Sequence, residues 1–472
     1  MSVARLSRDS HPRGHWLAFI VSAPMLLASW SPAGQAAEPT SAQSVLRELR
    51  GFRQTGRVLY VAAHPDDENT QLIAYLARGR GYSTAYLSLT RGDGGQNVIG
   101  PELAEELGVI RTQELLAARR LDGGRQFFTR AVDFGYSKNP DETLRIWDHK
   151  GVVSDIVRVI RTFRPDVIIT RFSPRGGGHG HHTASAILAV EAFKLAGDPQ
   201  AFPEQLETLT LWQPKRILQN GGGFGRGGGN AGAGSIRIEI GGNDPVTDEP
   251  LGAIAGRSRS MHRSQGFGNF AGRGGGGPRT DSFTLLAGEP ASKDIMDGVD
   301  TSWARFPGGA EIGRLADEAI AKFDANNLAA SVPALLAIRK RLSSIPFDPV
   351  VAEKRGQLDR CIQGCLGLAV ETTVPRALVV PGEELALHHT ATIKANVPVR
   401  WLAVRYPVTG HAAGQPIDLS AGQSSGCRRA GSSPRVLPAA DSRGRGFRTL
   451  RGRRSPTRPG GPGDRARARR GD

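Results

Sequence analysis

The residues of this chain that could do chemistry first appear at His64, which Pro65, Asp66, Asp67 and Glu68 follow directly. One imidazole and three carboxylates thus occupy five consecutive positions. His64 and Asp67 are three apart, so a helical turn that starts at Pro65 would bring both side chains to one side. Asp66 would then point elsewhere and be free to carry a proton. This pattern is typical of a metal site with a general base beside it.

A second set of imidazoles follows further along the chain, as His179, His181 and His182. This set could supply a third ligand, since zinc in catalytic sites typically keeps three protein ligands and a water. Each cluster alone has a purely structural interpretation: Asp66 could be a helix N-cap, and the histidines could form a polar loop. Because each cluster comes after a predicted strand, together they favour a functional site.

Two apolar segments must position these clusters. Residues 58–63 read Val-Leu-Tyr-Val-Ala-Ala and residues 166–170 read Asp-Val-Ile-Ile-Thr, and continuous apolar runs suit strands covered on both faces of a parallel sheet. A third strand is predicted over 84–90, and a helix from about Glu102 to Leu121. No G-x-G-x-x-G pattern follows the first strand, which argues against a nicotinamide dehydrogenase. The sequence predicts an α/β layered fold with a mostly parallel sheet, and ligands bind beyond the carboxyl ends of such strands.

The segment Arg57–Trp212 resembles the PIG-L/LmbE-like zinc-dependent N-acetylglucosaminyl deacetylases. The resemblance rests on Ala-His-Pro-Asp-Asp-Glu at 63–68 and on His-Gly-His-His at 179–182, where the family often has His-Pro-Asp-His. It implies a Rossmann-like catalytic domain over residues 45–310, Zn²⁺ as the cofactor, and removal of an acetyl group from an N-acetylated amino sugar or its conjugate. The alternatives are a metal-dependent amidase for another N-acyl substrate and a non-catalytic carbohydrate-binding protein.

The resemblance also implies roles for individual residues. Three of them correspond to the zinc ligands of the family: His64, Asp67 and His182. His182 is preferred to His181, because its spacing from His179 matches the family's pattern. Asp66 corresponds to the general base. His179 corresponds to the histidine that, when protonated, stabilises the oxyanion and then protonates the leaving amine.

Three further residues are candidates for binding the substrate. Arg111 corresponds to an arginine that contacts substrate in the family, although an ion pair with Glu114 would also explain it. Asp133 resembles a further acid of the family's pocket. Asp93 lies in the glycine-rich segment Arg91–Asn97 and could hydrogen-bond a sugar, but a tight turn would use the same residues.

The N-terminus has the pattern of an export signal. Arginines precede an apolar run at 17–30, and small residues follow up to Ala36 and Ala37, which predicts a signal peptide over residues 1–37. An uncleaved membrane anchor is the alternative. We therefore expect a secreted or periplasmic enzyme that acts on a small amino-sugar substrate. We expect no nucleic-acid partner and no stable membrane association after signal cleavage.

The rest of the chain divides by composition. Two glycine-rich stretches, 221–234 and 272–277, are predicted insertion loops, and the segment Met261–Gly268 between them is either a rim of the pocket or a surface turn. Helical periodicity predicts a helical domain over residues 311–372. Strand patterns separated by Pro and Gly predict a partial β-sandwich over residues 375–420.

Residues 421–472 form a tail rich in Arg, Gly, Pro and Ser, which predicts disorder. From Cys427 onward the tail holds 14 Arg and three Asp, so most of the formal net charge of +16 is local. A nucleic-acid signal from net charge is therefore weak. About three strands cannot close a two-sheet core. We therefore expect the sandwich to be cut short, and hypothesise that the tail is out-of-frame coding sequence.

Overall fold

The computed structural model describes residues 41–176, 178–221, 235–268, 279–376, 378, 384–406 and 412–432. The predicted signal peptide lies outside these ranges, as do most of both glycine-rich stretches and residues 433–472 of the tail. None of the helices in the described ranges is long and apolar enough to span a membrane.

A seven-stranded sheet, in the order β3-β2-β1-β4-β5-β7-β6, organises the first part of the chain. Its strands are β1 Arg57–Ala62, β2 Ser83–Ser88, β3 Arg125–Phe128, β4 Val167–Thr170, β5 Arg216–Asn220, β6 Ile236–Glu239 and β7 Thr280–Gly288. The first five run parallel. At one edge β7 pairs antiparallel with β5, and β6 pairs antiparallel with β7. The chain order reverses between β1 and β4, and such a switch point is where α/β sheets bind ligands at their carboxyl edge.

Helices cover both faces of this sheet. The helices of this part of the chain are α1 Ala42–Arg53, which packs with later helices, α2 Thr70–Ala74, α3 Ala104–Asp122, α4 Pro140–Ile146, α5 His149–Phe163, α6 Gly180–Leu195 and α7 Leu251–Arg259. Alternate residues of β1 face opposite ways: Leu59 packs with Ile156 of α5 and Leu188 of α6, whereas Tyr60 packs with Leu72 of α2 and Leu115 of α3. Because β1 is buried on both sides, its run of apolar residues is continuous, and the predicted α/β fold with a mostly parallel sheet is confirmed.

A helical region follows the sheet, with α8 Ala310–Ala321, α9 Val332–Leu342 and α10 Pro349–Leu366. Its apolar core also includes Val45, Leu49 and Phe52 from α1. The apolar face of α1 therefore packs with the later helices, although α1 precedes the sheet in the sequence. The helical periodicity of residues 311–372 could not show which segment covers their apolar face.

The last described strands are antiparallel. They are β8 Ala369–Thr373, β9 Glu384–Thr392, β10 Val399–Trp401, β11 Val404–Arg405, β12 Ala412–Ala413, β13 Ile417–Leu419 and β14 Ser424–Ser432. They form a three-stranded sheet, β14-β9-β8, and two two-stranded sheets. β14 lies within the stretch from residue 421 for which disorder is predicted, and it pairs with β9 along its length. Backbone pairing needs no apolar side chains, so composition did not reveal this strand.

Candidate metal centre and active site

The turn after β1 folds the carboxylate of Asp67 back onto His64. Asp67 Oδ2 accepts from the His64 amide at 2.7 Å and lies 3.1 Å from His64 Nδ1. The two side chains thus meet as their spacing predicts, but the backbone between them is not helical. Asp66 has φ of +89°, so the connection is a tight turn and the predicted helical turn is wrong.

The histidine segment lies at the start of α6, after β4. His179 is the N-cap of this helix, and its Nδ1 accepts from the His181 amide at 3.1 Å. A Cβ on Gly180 would come within 2.3 Å of the Asn139 carbonyl oxygen. Because backbone approaches so closely there, this chain needs glycine where the family often has proline.

The described residues contain two groups that could hold a metal ion, each with donor atoms within 4.8 Å of one another. One group is His64, Asp67 and His182; the other is His64, His179 and His181. His182 Nε2 lies 3.5 Å from Asp67 Oδ1 and its side chain is partly exposed, whereas His181 is fully buried and packs against the ring of Trp147 at 4.7 Å. The geometry therefore supports the choice of His182 over His181.

Asp66 faces the same space without belonging to either group. Its Oδ1 accepts from Arg111 Nη2 at 2.9 Å. Burial raises the pKa of Asp66 to about 6, although the charge of Arg111 opposes this shift. A carboxyl group with this pKa is mostly ionised at neutral pH and yet can be protonated readily, which suits a general base.

The surroundings of the site shift the pKa values of its histidines in opposite directions. Burial and the charges of His64 and His182 lower the pKa of His179 to about 4. A pKa this low favours the neutral form of the His179 ring at neutral pH. Burial alone would lower the pKa of His64, but the carboxylate of Asp67 outweighs it and raises that pKa. Burial raises the pKa of Asp67, but the charges of His182 and His64 outweigh it, so that the pKa falls below its usual value.

A cavity of about 410 Å³ connects these groups. It is lined by His64, Asp66, Asp67, Gly94, Gly95, Gln96, Arg111, Asp133, Gly135, Tyr136, His179, His182 and Gln265. Seven of the eight predicted site residues are therefore brought together. The exception is Asp93, which is not among the residues that line this cavity. Its role in substrate binding stays a prediction.

The predicted substrate-binding residues Arg111 and Asp133 are both buried. Arg111 lies beside Asp66, and Asp133 lies beside His64. Arg111 is buried and also donates from Nη2 to the Pro65 carbonyl at 2.6 Å. The alternative ion pair with Glu114 is not formed, because Glu114 accepts from Ser264 instead. Asp133 Oδ2 lies 3.8 Å from His64 Nε2.

Sequence reasoning missed several residues of the site. Tyr136 places its ring 4.8 Å from that of His179 while staying largely exposed at the mouth. Phe172 stacks on His182 with centroids 3.8 Å apart. Gln265 comes from the segment Met261–Gly268 and lines the cavity, so that part of this segment forms a rim. Only the polar and aromatic composition of that segment could have indicated this role.

The fold and the site together define an α/β protein in which His and Asp side chains that could hold a metal ion lie at the carboxyl edge of a mostly parallel sheet. Residues 59–193 match the family model described as PIG-L, GlcNAc-PI de-N-acetylase. This segment of the chain is therefore similar to the PIG-L family.

Several characterised proteins are similar to this domain. The mycothiol S-conjugate amidase of Streptomyces coelicolor is 29% identical over 180 residues, which cover 35% of this chain and 61% of the relative. A 1D-myo-inositol 2-acetamido-2-deoxy-alpha-D-glucopyranoside deacetylase of Kineococcus radiotolerans is 34% identical over 207 residues, covering 37% and 56%. This chain thus spans less than two thirds of either relative. Among solved structures, the N,N'-diacetylchitobiose deacetylase of Pyrococcus horikoshii has 18% identity and a TM-score of 0.36, covering 52% of this chain and 90% of that one.

Proposed function

We propose that this protein is a zinc-dependent hydrolase that removes the acetyl group from an N-acetylated amino sugar or its conjugate. One observation carries the proposal: His64, Asp67 and His182 hold donor atoms within 4.8 Å of one another, while the carboxylate of Asp66 faces the same cavity from outside this set. The relatives named as deacetylases and as an amidase support an amide as the bond that is cleaved.

The donor set fits a zinc ion. Two imidazole nitrogens and one carboxylate oxygen are the ligands that catalytic zinc sites combine with an open position. Asp67 lies between the two histidines, 3.1 Å from His64 Nδ1 and 3.5 Å from His182 Nε2, so that all three groups converge on one space. A bound Zn²⁺ would lower the pKa of a coordinated water to about 7 and polarise the acyl carbonyl. Another divalent ion could bind the same set, since affinity also follows availability.

Asp66 is the proton carrier of the proposed reaction. As an ionised carboxylate it accepts a proton from the attacking water, and with a pKa of about 6 it can return that proton to the leaving amine. Arg111 holds the Asp66 carboxylate in place from 2.9 Å. The products are acetate and the free amine.

His179 acts as a neutral hydrogen-bond donor in this proposal. Its Nδ1 accepts from the His181 amide, so the proton of the neutral ring resides on Nε2. That N–H can donate to the developing oxyanion of the tetrahedral intermediate. With its pKa held near 4, His179 is a poor source of the proton for the leaving amine, which falls to Asp66 instead.

The cavity also supports a sugar as the substrate. Its wall combines the acids Asp66 and Asp133 with the amides of Gln96 and Gln265, and such groups bind hydroxyls. Tyr136 presents its ring at the mouth, where it could pack on the apolar face of a sugar ring. Export by the predicted signal peptide at residues 1–37 belongs to the same proposal, and N-terminal sequencing of the mature protein would test it.

The decisive experiment measures acetate released from N-acetylglucosamine and a panel of its conjugates. The protein is stripped of metal, reloaded with Zn²⁺, and compared with His182→Ala and with a control, His149→Ala, which removes a surface histidine paired with Glu191. We expect metal-restored release in the wild type and the control, and none in His182→Ala. Stoichiometric zinc binding without release from any panel member would refute the hydrolase and favour a binding protein. Release only from other N-acyl substrates would favour the amidase.

A further inference from the structure

The backbone of Asp66 is held in a conformation that residues other than glycine rarely adopt. Its φ of +89° lies in a region that costs about 1–3 kcal/mol and persists only where surrounding contacts enforce it. Two contacts do so here. The Asp66 amide donates to Glu68 Oε2 at 2.9 Å, and the Asp66 carbonyl oxygen accepts from the guanidinium of Arg259. Arg259 also donates to the Glu68 carbonyl at 3.1 Å, which ties both ends of the turn to one side chain.

The second carboxylate oxygen of Glu68 is also held by hydrogen bonds. The side chain is fully buried, and Oε1 accepts from His262 Nε2 at 2.8 Å and from Arg119 Nη2 at 3.1 Å. A carboxylate oxygen can only accept, so His262 Nε2 carries the proton of its contact. Because a buried carboxylate is costly without such donors, the orientation of Glu68, and with it the Asp66 amide, depends on His262 and Arg119.

The contacts of Arg259 and His262 that hold the turn at Asp66, together called the clamp, come from a distant segment of the chain. Arg259 ends α7, His262 lies in the turn just after it, and Ser258 anchors the same stretch by donating to Asp122 Oδ2 at 2.7 Å. Neither Arg259 nor His262 lines the cavity, so neither would touch a substrate held there. Both act on the reactive carboxylate only through the turn that carries it.

We propose that Arg259 and His262 are positioning residues that fix the Asp66 carboxylate against the metal-ligand set. This inference rests on the proposed function of Asp66 as the general base. A displacement of about 1 Å in a reacting group can slow catalysis by about a hundredfold. Loss of the clamp should therefore lower kcat and leave KM unchanged, because the cavity wall stays intact.

The test uses the full zinc-loaded chain with His262→Leu and His262→Gln. Leucine keeps the volume without a donor, whereas the glutamine amide can still donate near the position of Nε2. We expect His262→Leu to lower kcat about 10- to 100-fold, with KM and zinc content unchanged, and His262→Gln to recover most of that loss. Wild-type kcat in His262→Leu, or equal losses in both variants, would overturn the inference.

A matched control removes another contact to a buried carboxylate, far from the cavity. Arg305 Nη2 donates to Asp166 Oδ1 at 2.8 Å, and Asp166 precedes β4 at the opposite edge of the sheet. Arg305→Gln should lower the melting temperature and leave kcat unchanged. A fall in kcat as large as that of His262→Leu would mean that general loss of stability explains both, and would refute the positioning role.

Hydrogen exchange separates this inference from the proposed function. In His262→Leu we expect the backbone N–H groups of His64 and of residues 66–68 to exchange at least tenfold faster than in the wild type, whatever the substrate is. If the wild-type protein hydrolyses no panel member, the proposed function fails and exchange alone decides on the clamp. Unchanged exchange at these amides would overturn the clamp even if the enzyme is active.

Discussion

Removal of the Arg111 charge should shift the pH dependence of the reaction. The base must be ionised to accept a proton, so activity falls as the pH drops through the pKa of Asp66, which lies at about 6. Arg111 Nη2 lies 2.9 Å from Asp66 Oδ1 and lowers that pKa against the larger effect of burial. Without the positive charge, the acidic limb should therefore move to higher pH.

The expected size of this shift follows from the contact. An opposite charge at such a distance changes a carboxyl pKa by about 1–3 units, which corresponds to about 1.4–4 kcal/mol. The side chain of Asp66 is 21% exposed, so solvent screening favours the lower half of that range. We expect the acidic limb of kcat/KM in Arg111→Gln at about pH 7 to 8.

The assay is the pH profile of kcat/KM for metal-loaded wild type, Arg111→Gln and a control, Arg91→Gln. Arg91 is exposed and donates to Thr112, so its removal leaves the Asp66 carboxylate untouched. An acidic limb that stays in place in Arg111→Gln would refute the reasoning, as would a wild-type limb near pH 4. A lower rate without a shifted limb would mean that Arg111 acts by geometry alone.

Three further predictions concern stability. Burial lowers the pKa of Lys354 to about 7, below its unfolded value of about 10.4. The unfolding free energy should therefore rise with pH between these values, by up to about 1.4 kcal/mol per unit. Urea unfolding at pH 6.5 and 9.5 should show this rise in wild type and lose it in Lys354→Met. Zinc at 100 times its Kd should raise the unfolding free energy by about 2.7 kcal/mol; calorimetry that finds the same gain in His182→Ala would contradict the ligand assignment. Gly180→Ala should cost about 1–3 kcal/mol, because its Cβ would meet a backbone carbonyl. By contrast, Gly356→Ala in α10 has open space and should gain about 0.5–1 kcal/mol; equal thermal shifts in both variants would contradict this account.

The sheet could be predicted because its signals are local. The apolar run at 58–63 corresponds to β1 at 57–62, and the predicted helix at 102–121 corresponds to α3 at 104–122. The carboxyl edge of a parallel sheet then brings the residues after β1 and β4 together. The antiparallel strands β6 and β7 were not predicted, since glycine-rich sequence separates them and their pairing is long-range.

Which residues of the site the sequence could predict also depends on whether their signals are local. His64, Asp67 and His182 could be recognised because their types and spacing match a ligand set. Asp93 does not line the cavity, and its sequence could not settle its role, since the same residue types serve a sugar and a tight turn. The contact between Glu68 and His262 joins positions 194 residues apart, and no periodicity in a single sequence records such a pairing.

The shared packing of α1 sets an order of events during synthesis. Val45, Leu49 and Phe52 leave the ribosome before the sheet, yet their partners in α8 to α10 are made some 260 residues later. At about 5–20 residues per second, this apolar face stays without its final cover for tens of seconds. Folding of the N-terminal segment must therefore wait for the far end of the helical region. A chaperone that shields α1 in this interval would raise the yield of folded protein.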